Sequence, residues 1–454
     1  MSGATLSKWT MSYFTAACLF LVIGQGMMVS GYGDPFADVG APATLALVHV
    51  LAIGWLGLLM VGALLQFVPV LVTASLRGGR LALPALLLLI AGLLLLVGGF
   101  AAVAGTEGMA PGMLPFGALL LAIGFVLVTI MLAATLAAAR PLPLPARFVA
   151  VGLIALCVTI LLGGTFTLVL SGAVANVPAI ALLLKGVPLH AALGLAGWLT
   201  FTAIGVSYRL LPMFMLAPDC TRATSKAVWW TGVAALALVA ACVVSIATGS
   251  AAVKLPLSLA ALLAAVATLF YSADLVRLFR ERRRKTVELN IRASYAAFAA
   301  LFVSVVMFAL PVTSSADGEG ATAVVYLFVF GWLTGLGLAQ LYKIVPFLTW
   351  LECYGPVLGR VAVPRVQDLV EEKRASLWFC LYYGAVAAAT FSLFAESPTA
   401  FRIALLAQLC ATVGLIVELV RARILSSVAA PMRFPAGAPR PRLFFRSLDH
   451  RSNR

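Results

Sequence analysis

The sequence predicts an all-α polytopic membrane protein: twelve transmembrane helices in three pseudo-symmetric four-helix arcs, with both termini cytoplasmic. Three observations lead there. Of the 454 residues 63% are hydrophobic and only 10% charged, with a mean hydropathy of +1.08, which leaves too little polar surface for a soluble chain of this length. Apolar runs of about 20 residues, enough to cross roughly 30 Å of hydrocarbon, can be laid out twelve times. Finally, Gly-Trp-Leu followed by a Pro fourteen residues after the Trp occurs three times: Gly54-Trp55-Leu56 with Pro69, Gly197-Trp198-Leu199 with Pro212, and Gly331-Trp332-Leu333 with Pro346. The copies lie 143 and 134 residues apart, far beyond a solenoid period, so the repeated unit is a whole bundle of helices.

Taken in order, arc one (1–140) holds apolar runs at 11–31, 43–70, 82–104 and 114–138. No small-residue cleavage pattern follows the first run, which reads as helix one and not as a removable signal. Arc two (141–285) holds runs at 148–171, 187–214, 227–247 and 256–277, and arc three (286–425) at 292–312, 322–348, 376–395 and 401–420. Turn chemistry such as Arg77-Gly78-Gly79-Arg80 and Asp317-Gly318-Glu319-Gly320 punctuates the gaps. Each stamped motif falls on the second helix of its arc. Residues 426–454 form a basic cytoplasmic tail, and the connection at 351–375 is too short for a soluble domain with its own core.

Charge sets the orientation, because Lys and Arg are retained inside. With the N-terminus inside, only Lys185, Lys254 and Arg402 of the 31 basic residues fall near the outer face, where the acids Asp34, Asp38, Glu107, Asp317, Glu319 and Glu396 gather. The net charge of +15 is then a topology signal and not a nucleic-acid signature. The run Arg280-Glu281-Arg282-Arg283-Arg284-Lys285 and the tail from Arg421 also suit anionic lipid head groups of the bilayer. Seven cysteines without a Cys-x-x-Cys suggest neither a disulfide framework nor a zinc site.

On each stamped helix, fourteen residues put the Trp about 21 Å from the Pro, so the Trp sits in the outer half and the Pro at the cytoplasmic exit, where it ends or bends the helix. Eleven residues after each Trp stand Gln66, Arg209 and Lys343. These either snorkel to the inner interface as anchors, or, for Arg209 and Lys343, bind the acidic edge of a cofactor or lipid.

Two of the three histidines lie on stamped helices: His49 six residues before Trp55, and His190 eight before Trp198. An intramembrane His points to a ligand or proton carrier, against the plain reading of a ring bonded to nearby backbone. On a regular helix those registers differ by about 200°, so the two histidines take opposite faces relative to their Trp. The third copy has Tyr326 and Val324 at these places, and His450 lies in the tail. Met27-Met28, Met213 and Met215 offer soft donors suited to copper(I) or simply to packing. Apart from Asp274 and Glu418 the twelve runs carry no acid, so they hold no carboxylate chain of the kind a proton pump or cation-coupled carrier uses.

The stretches Leu47-Val48-His49 through Gly54-Trp55-Leu56-Gly57, His190 through Gly205-Val206-Ser207-Tyr208-Arg209-Leu210-Leu211-Pro212-Met213-Phe214, and Tyr342-Lys343-Ile344-Val345-Pro346-Phe347-Leu348 resemble subunit I of the haem-copper oxidase and nitric oxide reductase superfamily. Bacterial oxidase-subunit-I-like proteins, and more distantly the haem- and copper-containing membrane proteins linked to the nitric oxide response, are similar. The likeness covers residues 1 to about 425 as architecture. It implies the inner membrane of a bacterium, respiratory or assembly subunits as partners, His49 as the helix-two haem ligand and His190 as the helix-six copper ligand. The helix-seven histidine pair and the helix-ten His-x-His of that superfamily are missing, Val324-Val325-Tyr326 standing in the latter's place. The standard binuclear centre therefore does not assemble, no residue is assigned a catalytic role, and a bis-histidine haem requires a second chain. The expected function is haem or copper handling, gas sensing or partnership in a respiratory complex, through one haem or copper. The alternatives are a metal-free transport or assembly protein, with Trp55, Trp198 and tyrosines lining clefts between arcs, and an active oxidase or reductase.

Overall fold

The computed structural model describes residues 9–33, 35–36, 38–219, 222–250, 252–309 and 319–441. Asp34, Asp317, Gly318, Cys220 and His450, all considered above, lie outside the described residues, as does the side chain of Glu319. Among the described residues twelve helices are long and apolar enough to cross a membrane: α1 Thr10–Val29, α2 Pro42–Val72, α3 Gly79–Val103, α4 Met113–Leu136, α5 Leu144–Leu170, α6 Val177–Met215, α7 Ala223–Ala247, α8 Lys254–Arg280, α9 Leu289–Phe308, α10 Gly320–Val357, α11 Glu372–Phe394 and α12 Pro398–Arg423. Among the described residues no strand forms beyond one isolated bridge, Leu358 to Val361. Large apolar side chains face outward, with Leu161, Leu255 and Phe391 respectively 71, 80 and 72% exposed. Water would penalise that surface, whereas lipid accepts it.

Helices α3 and α4, α7 and α8, and α11 and α12 pack as hairpins, while α1 lies on α2, α5 on α6 and α9 on α10. Further contacts join α4 to α5, α8 to α9 and α12 to α1. The stamped helices α2, α6 and α10 meet one another through side-chain hydrogen bonds and a shared cavity.

Each stamped helix changes its winding at the motif. Residues Val50–Gly57, Leu193–Thr200 and Leu327–Thr334 are π-helical, so in all three the wide segment begins five residues before the Trp and ends two after it. Such i→i+5 segments are rare and concentrate at functional sites. The prolines act less uniformly than their spacing suggests. After Pro69 and Pro212 the helix stops within three residues, at Val72 and Met215, and Thr73 and Leu216 turn left-handed with φ of 53° and 51°. In both, the next residue donates its N–H back to the proline carbonyl at 3.0 Å, Ala74 to Pro69 and Ala217 to Pro212. After Pro346 the helix continues to Tyr354. Pro188 likewise sits inside α6, which begins at Val177, ten residues before the apolar run that marks it in the sequence.

Two buried acids near helix ends are held differently. Glu418 receives both Nε and Nη2 of Arg374, at 2.5 and 2.7 Å. Asp274 instead accepts Tyr208 Oη at 2.9 Å and Thr224 Oγ1 at 2.5 Å, and among the described residues it has no ion pair.

Candidate functional site

His49 closes the α-helical part of α2 immediately before the π segment, and His190 stands three residues before the π segment of α6. The structure brings their rings together, with centroids 6.4 Å apart and planes inclined by 33°. The registers, reckoned relative to each helix's own Trp, leave such a meeting open, because the two rings belong to different helices.

The surroundings are apolar and aromatic. Phe100 of α3 lies 5.3 Å from the His49 ring and Phe166 of α5 lies 5.5 Å from that of His190. His49 Nδ1 is 2.7 Å from the Leu45 carbonyl, so Nδ1 carries the proton and donates, which leaves the Nε2 lone pair for a ligand. His190 Nδ1 is buried and has no partner at hydrogen-bonding distance, and the Thr159 backbone of α5 lies close to the imidazole. Gly163 backs this ring: a Cβ there would stand 3.1 Å from His190 Cε1.

Rings this close could both reach one ion through metal–nitrogen bonds of about 2.0 Å. His49 and His190 would then hold it, and a copper or haem iron there would supply redox or diatomic-gas chemistry. Among the described residues no set of three His, Cys, Asp or Glu gathers closely enough to hold a metal.

The other sequence-picked residues lie elsewhere. Arg209 and Lys343 sit at the proline end, roughly 25 Å of helix rise from the histidines. Exposed Arg209 pairs with Asp219 at 3.4 Å. Lys343 pairs with Glu288, which Arg284 also binds, and its ammonium lies 5.6 Å from the Phe214 ring centre. Neither shares a site with the histidines. Met28 and Met215 are buried and Met213 is exposed. Tyr326, at the third copy's counterpart of His49, is buried and donates to Gln408 Oε1 at 2.5 Å.

Trp55 and Trp198 are both buried, and with Trp332 they define the seams between the stamped helices. Trp55 Nε1 donates to Thr334 Oγ1 at 3.0 Å, joining α2 to α10. Trp332 Nε1 donates to Thr200 Oγ1 at 3.0 Å, joining α10 to α6. Each acceptor stands two residues after its own Trp. The cycle would close if Trp198 donated to the residue two after Trp55, but that residue is Gly57, and Trp198 Nε1 is buried without a partner. The unlatched seam, α6 to α2, is also the one that holds His190 and His49.

Toward the proline end from this ring lies a cavity of about 100 Å³ among the three stamped helices, lined by Leu56, Met60, Leu199, Ala203, Leu333 and Gly337 and reaching Ser207 and Gln340. These positions are one and five residues after each Trp. The sequence expectation of clefts lined by Trp and Tyr differs from this cavity, whose lining holds neither; the threonine latches were missed, although Leu-Thr after Trp198 and Trp332 against Leu-Gly after Trp55 was a visible signal. No family model matches the chain, and no curated protein matches it.

Proposed function

We propose that this chain is an oxidase-subunit-I-like membrane protein, three four-helix arcs about a common axis with both termini inside a bacterial inner membrane, that binds one copper or one haem between His49 and His190. The observation that carries the reading is the 6.4 Å separation of two imidazoles supplied by different helices. Placing two imidazoles side by side in apolar surroundings is costly unless something ligates them. His49 and His190 would be the ligands. The group when bound would supply redox or diatomic-gas chemistry, and the residues here would hold and desolvate it. Three histidines in the whole chain fall short of the set that an active oxidase or nitric oxide reductase needs, so the reading is metal or haem handling, gas sensing, or partnership with respiratory or assembly subunits. A metal-free transport or assembly protein is the second reading, favoured by the apolar cavity between the stamped helices.

The test is an oxidised and dithionite-reduced absorption spectrum of the purified protein, with iron and copper determined on the same sample. A Soret band with iron near one per chain selects haem, and copper near one per chain without a Soret band selects copper. His49→Ala and His190→Ala should each abolish the bound group. A colourless, metal-free protein after expression with added haem and copper would reject this reading in favour of the second.

A further inference from the structure

A cavity of about 600 Å³ lies between α4 and α5, walled by Leu136, Leu142, Leu153 and Ile154 and bordered by Arg140 and Arg147. Along α5 it runs from Arg147 to Cys157, about 15 Å of helix rise, close to one leaflet's share of a hydrocarbon core of roughly 30 Å. Ile154 is 65% exposed, so the groove opens onto the surface that lipid covers.

Its charge is one-sided. Elsewhere cations such as Arg374 and Lys343 have a carboxylate at ion-pairing distance, Glu418 and Glu288 respectively. Arg140 and Arg147 form no ion pair among the described residues. Arg147 Nε donates to the Leu142 carbonyl at 3.0 Å, which fixes the guanidinium and leaves its terminal nitrogens available. It also stands in the first turn of α5, where the positive end of the helix dipole disfavours a cation and welcomes an anion. Two guanidinium groups without a carboxylate at the mouth of an apolar groove one leaflet deep complement an anionic head with an acyl tail.

We propose that this groove is a binding site for an anionic membrane phospholipid, its phosphate held by Arg140 and Arg147 and an acyl chain laid along Leu136, Leu153 and Ile154. The site is independent of the histidine pair.

Thermal unfolding of the full-length protein in a mild detergent tests it, with added phosphatidylglycerol, phosphatidylcholine or inorganic phosphate. Phosphatidylglycerol should raise Tm by several degrees more than phosphatidylcholine, and phosphate alone should not. In Arg140→Gln/Arg147→Gln, whose changes lie at the surface, the difference between the two lipids should vanish. Ile154→Trp, which fills the groove from its exposed side and leaves both charges, should also remove it. Equal responses to the two lipids in the wild type would overturn the proposal, as would an undiminished difference in the arginine double variant. A full effect from inorganic phosphate would overturn it too, by showing an anion site without a lipid tail.

Discussion

The α2–α10 and α10–α6 seams are each closed by an indole N–H on a threonine hydroxyl at 3.0 Å, while the α6–α2 seam has Gly57 in the acceptor's place and leaves the Trp198 N–H bare. The winding, the tryptophan and the neighbouring leucine are the same in all three. At the acceptor position one side chain differs, and the seam that lacks it holds both intramembrane histidines. A buried unpaired N–H costs about 1–3 kcal/mol, so two seams are fastened by the fold and the third is left for something else to hold. Residue size follows the same division: the position five after each Trp is Gly337 or Ala203 opposite the latched tryptophans and Met60 on the helix facing Trp198.

The largest effect should come from breaking a latch. Thr334→Val keeps the shape and leaves Trp55 Nε1 buried without an acceptor, which should cost about 1–3 kcal/mol, seen as a lowered Tm in detergent. Thr200→Val should cost as much through Trp332. Trp198→Phe removes no hydrogen bond, so it should cost clearly less than Trp55→Phe. Equal losses from those two tryptophan variants would erase the distinction between seams.

The converse change is smaller. Gly57→Thr places a hydroxyl where Thr200 and Thr334 carry theirs, and a Cβ there meets only the Ala52 carbonyl at 3.2 Å and Phe125 Cζ at 3.7 Å. A new latch should add about 0.5–1.5 kcal/mol, and the gain should disappear in a Trp198→Phe background. Persistence of the gain in that background would mean that the substitution acts through helix propensity instead.

The division between what was legible and what was not follows the same residues. Hydropathy located all twelve helices because lipid demands long apolar runs. It erred most where polar or proline residues sat inside a helix, at Lys185 and Pro188 in α6 and beyond Trp350 in α10. The stamped motif was legible as a repeat, but its π winding was not, since hydrogen-bond register leaves no trace in composition. His49 and His190 were legible as unusual residues, yet their meeting depends on how two helices approach and widen. Arg209 and Lys343 were picked for their polar character at a shared register after the Trp, and both pair with acids, Asp219 and Glu288, that lie outside the stamped motifs in sequence.

A subtler change probes the open seam itself. In Gly163→Ala the new methyl stands 3.1 Å from His190 Cε1, so the ring must give by a few tenths of an ångström. Stability should fall by less than about 1 kcal/mol, while affinity for the metal or haem proposed to bind there should fall several-fold, as titration followed by absorbance would read. Unchanged affinity would show that the His190 ring position does not set binding, and Gly163→Ser would then be expected to be equally silent.

The smallest effect distinguishes the latches from charge. Indole and threonine do not titrate in the working range, so the Tm loss of Thr334→Val should be flat with pH. The turn Val366–Leu369, which follows α10, is built the other way. Arg365 donates to Asp368 through its side chain and its backbone N–H, the latter at 2.9 Å, and this holds the Asp368 carboxyl below the usual carboxylate range. A carboxyl depressed on folding contributes stability that is present above its unfolded pKa, about 3.9, and is lost as pH falls through the lower folded value. Asp368→Asn should therefore lower Tm slightly at neutral pH, and its gap from the wild type should close only in acid below about pH 4. The pair is solvent-exposed, so salt should shrink that gap as well. A Thr334→Val loss that followed the same acid and salt dependence would show that the seams are held by charge and that the indole–threonine bonds only accompany it.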